Sequence, residues 1–305
     1  MAFFRSILSA LLISAVAAPS PRVAVAIVRP DGYIVPFAAY DGQRWTRAWP
    51  EANEAPDGIL SVESIRSIWR ENGEPVPKIW RVWPASGAPS VEAHVSGADD
   101  VDAHCSGQIA LKTDLPKVTM EHPLKFGIAV DSSIVAVSTV EEVRPSDSNW
   151  ASAERAVLAK FAALERAQAN RERQQMPREV PEPVAHIAAL YREARSARSL
   201  LYFEAEKKYR TPRDPRDEQC TALTVMTGWL VTTDAGAVSL ADPKLFLTDC
   251  DAKEFRTVLP LAVIRVSGRS FWVLQEHGYE DETYLIGEVR HGHVRYPIEV
   301  NGGGC

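Results

Sequence analysis

The chain has 305 residues, 46% hydrophobic and 24% charged, with 34 basic and 40 acidic side chains and a formal net charge of −6. That length suffices for one large core or two smaller ones. The mild acidity, with basic residues dispersed except around Arg166, Arg171 and Arg173, disfavours nucleic acid or an anionic lipid surface as a partner.

Taken in chain order, the first expected element is a leader. Arg5 precedes the apolar run Ile7–Ile13, and Ala15-Val16-Ala17 offers small residues at the spacing of a cleavage site. A charged n-region, a short h-region and such a site read as a secretory signal spanning 1–17 and cut before Ala18. A spanning helix needs about 20 apolar residues, so a retained anchor is the weaker reading. No second long apolar run follows. The mature chain is expected to be soluble, periplasmic or extracellular, with no stable membrane span.

Val23–Val28 and Tyr33–Ala38 are β-prone runs around Arg29-Pro30-Asp31-Gly32 and predict a hairpin. Pro36 places its strand at an edge or a bulge. Residues 50–58 read as a loop, Ile65–Trp69 and Lys78–Trp83 as short strands, and Val91–Val95 as another. Residues 96–107 read as a polar loop carrying Cys105. Gln108–Lys112 reads as a strand, and Phe126–Val140 as a second hairpin turning at Asp131-Ser132-Ser133. One long helix is predicted from an N-cap at Ser148, with Trp150, Ala153, Val157, Phe161 and Leu164 forming an apolar stripe. Arg178–Pro183 is the best linker candidate. Residues 184–210 suit a helix by composition and a hairpin turning near Ser196–Ser199 by alternation; Tyr202, Phe203 and Tyr209 favour strands. After a polar loop at 211–219, short strands and turns continue to the end, with a tight turn at Ser267-Gly268-Arg269.

The expected fold is therefore α+β, mainly β: antiparallel sheets with one long amphipathic helix packed across them. The expected organisation is a Trp-rich β region (18–145), the helix and linker (146–183) and a C-terminal β region (184–305), with a single merged domain as the alternative.

Four cysteines in an exported chain predict two disulfides, and none has C-x-x-C spacing. The favoured pairing is Cys220–Cys250, closing a loop between two predicted strands. Cys105–Cys305 would then pin the tail that follows Gly302-Gly303-Gly304.

The chain lacks G-x-S-x-G, S-x-x-K, H-E-x-x-H, a phosphate loop and a dinucleotide fingerprint. No cofactor is indicated. The densest cluster of potential metal ligands is Glu276, His277, Glu280, Asp281, Glu282, His291 and His293; of these His277, Glu280, Glu282, His291 and His293 are the candidate set, in which imidazole and carboxylate would suit zinc. The competing reading places them in exposed turns at opposite ends of one strand. Asp99, Asp100, Asp102 and His104 suggest calcium by alternation but lack an EF-hand pattern, so a solvated loop fits better. Glu204 and Glu206 share a strand face but read as ordinary charge rather than a glycosidase pair.

Five of the eight tryptophans fall in the first third. Trp45 and Trp49, with Tyr40, are candidates for a ligand-stacking surface, against the alternative that they fill a core. Trp229 and Trp272 read as core. The best functional expectation is a non-catalytic binding or scaffolding module whose partner is a protein or carbohydrate of the cell envelope. The alternatives are an exported hydrolase acting on carbohydrate or peptide, and an accessory subunit of an envelope complex.

Overall fold

The computed structural model describes residues 22–52, 69, 76–117, 127–131, 135–174, 176, 182–194, 200–210, 220–232, 237–250, 255–290 and 292–305. The expected leader, most of the Ile65–Trp69 strand, the linker as far as residue 181 and the loop 211–219 lie outside the described residues. The described chain is mostly strand, in antiparallel sheets with one helix packed across them. No described helix is long and apolar enough to cross a membrane.

The first sheet contains β1 (Val23–Val28), β2 (Ile34–Tyr40), β3 (Trp45–Arg47), β4 (Ile79–Pro84), β5 (Val91–Ala103), β6 (Ser106–Thr113) and β7 (Gly127–Val130). Its order is β1-β7-β4-β5-β6-β2-β3, and a further β1–β2 pairing closes six of the strands into a ring. Closure removes open edges, which would otherwise template aggregation. β1 and β2 are buried along their whole length, because one face lines the ring and the other meets the second sheet. The β1–β2 hairpin turns at Gly32, at φ 85°, with the Arg29 N–H donating to the Tyr33 carbonyl at 2.9 Å. Pro36 sits at the expected bulge: Ala26 pairs with Pro36 but Val25 pairs with Ala38.

The second sheet contains β8 (Ala136–Glu142), β9 (His186–Glu193), β10 (Leu200–Arg210), β11 (Cys220–Thr232), β12 (Val238–Thr248), β13 (Thr257–Val266), β14 (Arg269–His277), β15 (Asp281–Arg290) and β16 (His293–Gly304). Its order is β12-β11-β10-β9-β8-β13-β14-β15-β16. β8 is the hinge of this sheet. Ala136–Thr139 pair with β13, whereas Val140–Glu142 pair with β9. The two wings fold face to face and bury Tyr202, Trp229, Trp272, Leu274 and Leu285 between them. The Trp229 and Trp272 rings meet edge to face with centroids 4.9 Å apart, a geometry worth about 1 kcal/mol beyond area burial.

Helix α1 (Trp150–Glu172) covers the outer face of the β9–β12 wing, burying Ala153, Val157 and Phe161 against Leu201, Phe203 and Met226. The outer face of the β13–β16 wing, with Phe271, Val273, Tyr284 and Ile286, packs on the ring. The layers thus run helix, first wing, second wing, ring.

Three local expectations are corrected. Residues 96–107 are not a loop: β5 runs through Ala103, and only His104 and Cys105 separate it from β6. Ala93, Ala98 and Ala103 mark its buried positions, and small residues gave little apolar signal. Residues 126–140 do not form a hairpin. β7 pairs with β1 and β4, and β8 joins the other sheet, so long-range pairing overrides the local turn signal. The helix N-cap is Asn149, not Ser148, and its side chain makes no cap bond; instead Asp147 Oδ1 accepts the Asn149 backbone N–H at 2.9 Å. The strand reading of 184–210 holds, with Leu201 opposite Arg192.

Both favoured disulfides are formed, Cys105–Cys305 and Cys220–Cys250, and among the described residues no cysteine is free. Two structural disulfides point to an oxidising, exported environment.

Candidate metal centre

His277 ends β14 and Glu282 lies near the start of β15; the two residues are direct cross-strand partners. A third donor comes from the other sheet. His104 occupies the turn between β5 and β6 at φ 58°, a left-handed conformation that carries the chain sharply from one strand into the next. Its ring lies 5.5 Å from that of His277, centroid to centroid. One ligand atom from each of His104, His277 and Glu282 lies within 4.8 Å of the other two. His104 is exposed, and the other two are half-buried.

The Glu282 carboxylate is held in place. Oε2 accepts from Gln275 Nε2 at 2.7 Å, and Oε1 accepts from the Tyr284 hydroxyl at 2.6 Å. Burial, followed by the adjacent Glu282 charge, pushes the Tyr284 phenol well above its ordinary value, so it remains a donor near neutrality. Each carboxylate oxygen keeps a further lone pair. Arg29 is a nearby cation. Burial alone would lower its pKa, but the hydrogen bond and charge of Asp31 outweigh that and raise it. The Asp31 carboxylate, which Arg29 Nη2 meets at 3.0 Å, thus offsets its positive charge.

Two imidazoles and one carboxylate form a nitrogen–oxygen donor set suited to zinc or another late divalent transition metal. A tetrahedral ion with bonds of about 2.0–2.1 Å holds its ligand atoms about 3.4 Å apart. Seating such an ion would require the three ligand atoms to close in from separations of up to 4.8 Å. Three protein ligands leave a fourth position for water or an external ligand. The hydrogen bonds from Gln275 and Tyr284 would orient the carboxylate, as outer partners do at metal sites.

No known protein family, curated protein or solved structure significantly matches the chain. Function must therefore be read from the site itself.

Of the ligands expected from sequence, the structure brings together His277 and Glu282. Glu280 is exposed in the β14–β15 connection, where its carbonyl accepts the Cys305 N–H at 3.0 Å. His293 pairs with Arg290 at the far end of the β15–β16 hairpin, roughly 25 Å from Glu282 at the rise of a strand. This corrects its inclusion in the site, because period-two spacing keeps residues on one face without bringing strand ends together. His291 lies outside the described residues. His104 was grouped with the aspartates of the expected loop and not with the C-terminal ligands. The signal for it was its neighbour Cys105, whose expected bridge to Cys305 carries this turn to the C-terminal strand.

The expected stacking surface is also corrected. Tyr40, Trp45 and Trp49 are at most 7% exposed. Trp45 packs edge-on against Phe271 at 5.2 Å, and Trp49 Nε1 donates to the Ile109 carbonyl at 2.7 Å. Tyr40 and Trp45 use their faces against Phe271 of the second sheet, and Trp49 packs edge-on against Trp69, partners that the local sequence did not show. Trp229 and Trp272 are core, as expected. The aspartates do not assemble a calcium site: Asp99 accepts the Tyr33 hydroxyl at 2.7 Å and faces Lys112 at 3.6 Å.

Proposed function

We propose that the chain is an exported, disulfide-braced binding module of the envelope or extracellular space that takes up one divalent transition-metal ion through His104, His277 and Glu282. The observation carrying this reading is the convergence of three metal-competent donors from two sheets, with the carboxylate oriented by Gln275 and Tyr284. Export is supported by the N-terminal leader pattern and by the two disulfides.

The same donor set, with an open fourth position, also occurs in zinc hydrolases. That second reading needs a general base within reach of the metal-bound water. The neighbouring carboxylates Asp281 and Glu276 are both engaged by Arg256, which favours binding over hydrolysis.

The test is calorimetric titration of the oxidised protein with Zn²⁺, alongside His104→Ala, His277→Ala and Glu282→Gln. One ion per chain is expected, with each substitution weakening binding. Absence of binding, or binding indifferent to all three substitutions, would overturn the proposal. Zinc-dependent turnover of peptide or glycoside substrates, lost in His277→Ala, would move the assignment to the hydrolase.

A further inference from the structure

We propose that the Cys105–Cys305 disulfide gates the metal centre: the oxidised chain holds the ion and the dithiol form releases it. This rests on the metal reading above. His277 and Glu282 belong to one hairpin, where they are direct cross-strand partners. His104 reaches them from the tip of a hairpin in the other sheet, and the next residue, Cys105, is the covalent tie.

Cys305 follows β16, and its backbone N–H donates to the Glu280 carbonyl, two residues before Glu282. A short path therefore runs from His104 through the disulfide to the strand end that carries Glu282. The bridge joins residues 200 apart in sequence and holds their Cα atoms at 4.8 Å. Without it, the hairpin tip is fastened there by lesser contacts. The Gly304 N–H donates to Ser106 Oγ at 3.1 Å. Gly303, at φ 141°, packs so closely on Ala103 that a Cβ would stand 2.6 Å from the alanine Cβ.

Opening the bridge requires a thiol reductant, either one dithiol or two monothiols such as glutathione. It transfers two electrons and two protons, the Cys105–Cys305 S–S bond breaks, two thiols form, and the reductant becomes a disulfide. The site then loses the covalent constraint on one of its three protein ligands, leaving the Gly304–Ser106 and Arg29–Asp102 hydrogen bonds near the hairpin tip. Linkage makes the effect reciprocal: whatever factor the disulfide contributes to metal affinity, the metal returns to the stability of the disulfide.

The first experiment titrates Zn²⁺ into the oxidised full chain, into Cys105→Ser/Cys305→Ser, and into His277→Ala. The expected result is binding by the parent at least about tenfold tighter than by the double-serine variant, the scale on which supporting groups tune metal sites. If the parent fails to bind, or His277→Ala binds equally well, the metal reading itself falls. If binding depends on His277 but the double-serine variant binds as tightly as the parent, the gate is overturned and the metal site stands. Should the double-serine variant fail to fold, the parent is equilibrated in glutathione redox buffers with and without saturating Zn²⁺. Zinc is expected to shift the Cys105–Cys305 couple toward the disulfide. No shift, or a shift toward the dithiol because the new thiolates take the ion, would overturn the gate.

Discussion

Strand β10 carries two buried acid arrangements on its opposite faces, and they are solved differently. On the helix side, Glu165 of α1 meets a cation. Its Oε2 accepts from Lys207 Nζ at 3.0 Å, and its Oε1 accepts from the Tyr209 and Thr224 hydroxyls at 2.8 and 2.7 Å. Burial alone would lower the Lys207 pKa, but bonds to Glu182, Tyr209 and Glu165 outweigh it, so the ammonium is held above its ordinary value. On the side facing the second wing, Glu204 meets only neutral donors among the described residues. Its Oε1 accepts the Val258 N–H at 2.9 Å and the Tyr202 hydroxyl at 3.3 Å. Burial pushes its carboxyl up to about 7, although both donors act against the rise. A buried carboxylate given an ammonium forms part of a fixed ionic cluster. One given only neutral donors is left holding a proton close to neutrality.

The sharpest way to break this contrast is to remove the cation. Lys207→Met leaves Glu165 buried with hydroxyl donors alone and should cost about 3–5 kcal/mol, the usual penalty for orphaning a buried charge. Adding Glu165→Met should restore most of that loss, because a well-packed apolar pair of similar volume replaces an ion pair at little cost. Urea denaturation at neutral pH measures both. A double variant as unstable as Lys207→Met alone would mean that the lysine acts by packing and not by charge.

The second prediction concerns the proton on Glu204. Its folded pKa, about 7, lies above the ordinary 4.5, so the native state binds this proton more tightly than the unfolded chain does. The stabilisation is complete below about pH 4.5, declines as pH rises toward 7, and is absent above that. Glu204→Gln keeps the Oε1 acceptor and cannot ionise. Relative to the parent it should gain up to about 3 kcal/mol by pH 8, with the difference developing between pH 4.5 and 7. Parallel stability curves for the two proteins across that window would show that Glu204 is not the titrating group.

The same contrast explains which features were legible in the sequence. The Ser267-Gly268 turn, the Val157 and Phe161 stripe and the four-cysteine pairing could be read because each depends on local chemistry or on the ends of predicted strands. The buried stripe of α1 continues through Glu165 and Ala169, and a charged residue there makes sense only once Lys207 lies beneath it. β5 was hidden because alanines occupy its buried positions. Tyr40 and Trp45 looked available for a ligand because Phe271, the ring that both pack against, lies more than 200 residues later in the chain. Within the candidate centre, His277 and Glu282 were visible as near neighbours in sequence. His104 required the ring, the hairpin tip and the disulfide to be in place together.

The smallest effect tests how the Glu165 cluster divides its work. Thr224→Val preserves shape and removes one hydroxyl from Oε1, while Tyr209 and Lys207 remain. A lost hydrogen bond to a buried carboxylate should cost about 1–2 kcal/mol, clearly less than Lys207→Met. The two substitutions should also couple, because both act on the same carboxylate. In the Lys207→Met background Glu165 depends more on its remaining donors, so Thr224→Val should cost more there than in the parent. If Thr224→Val cost as much as Lys207→Met in the parent, the hydroxyls and not the ammonium would be what makes this carboxylate tolerable. The two faces of β10 would then be alike after all.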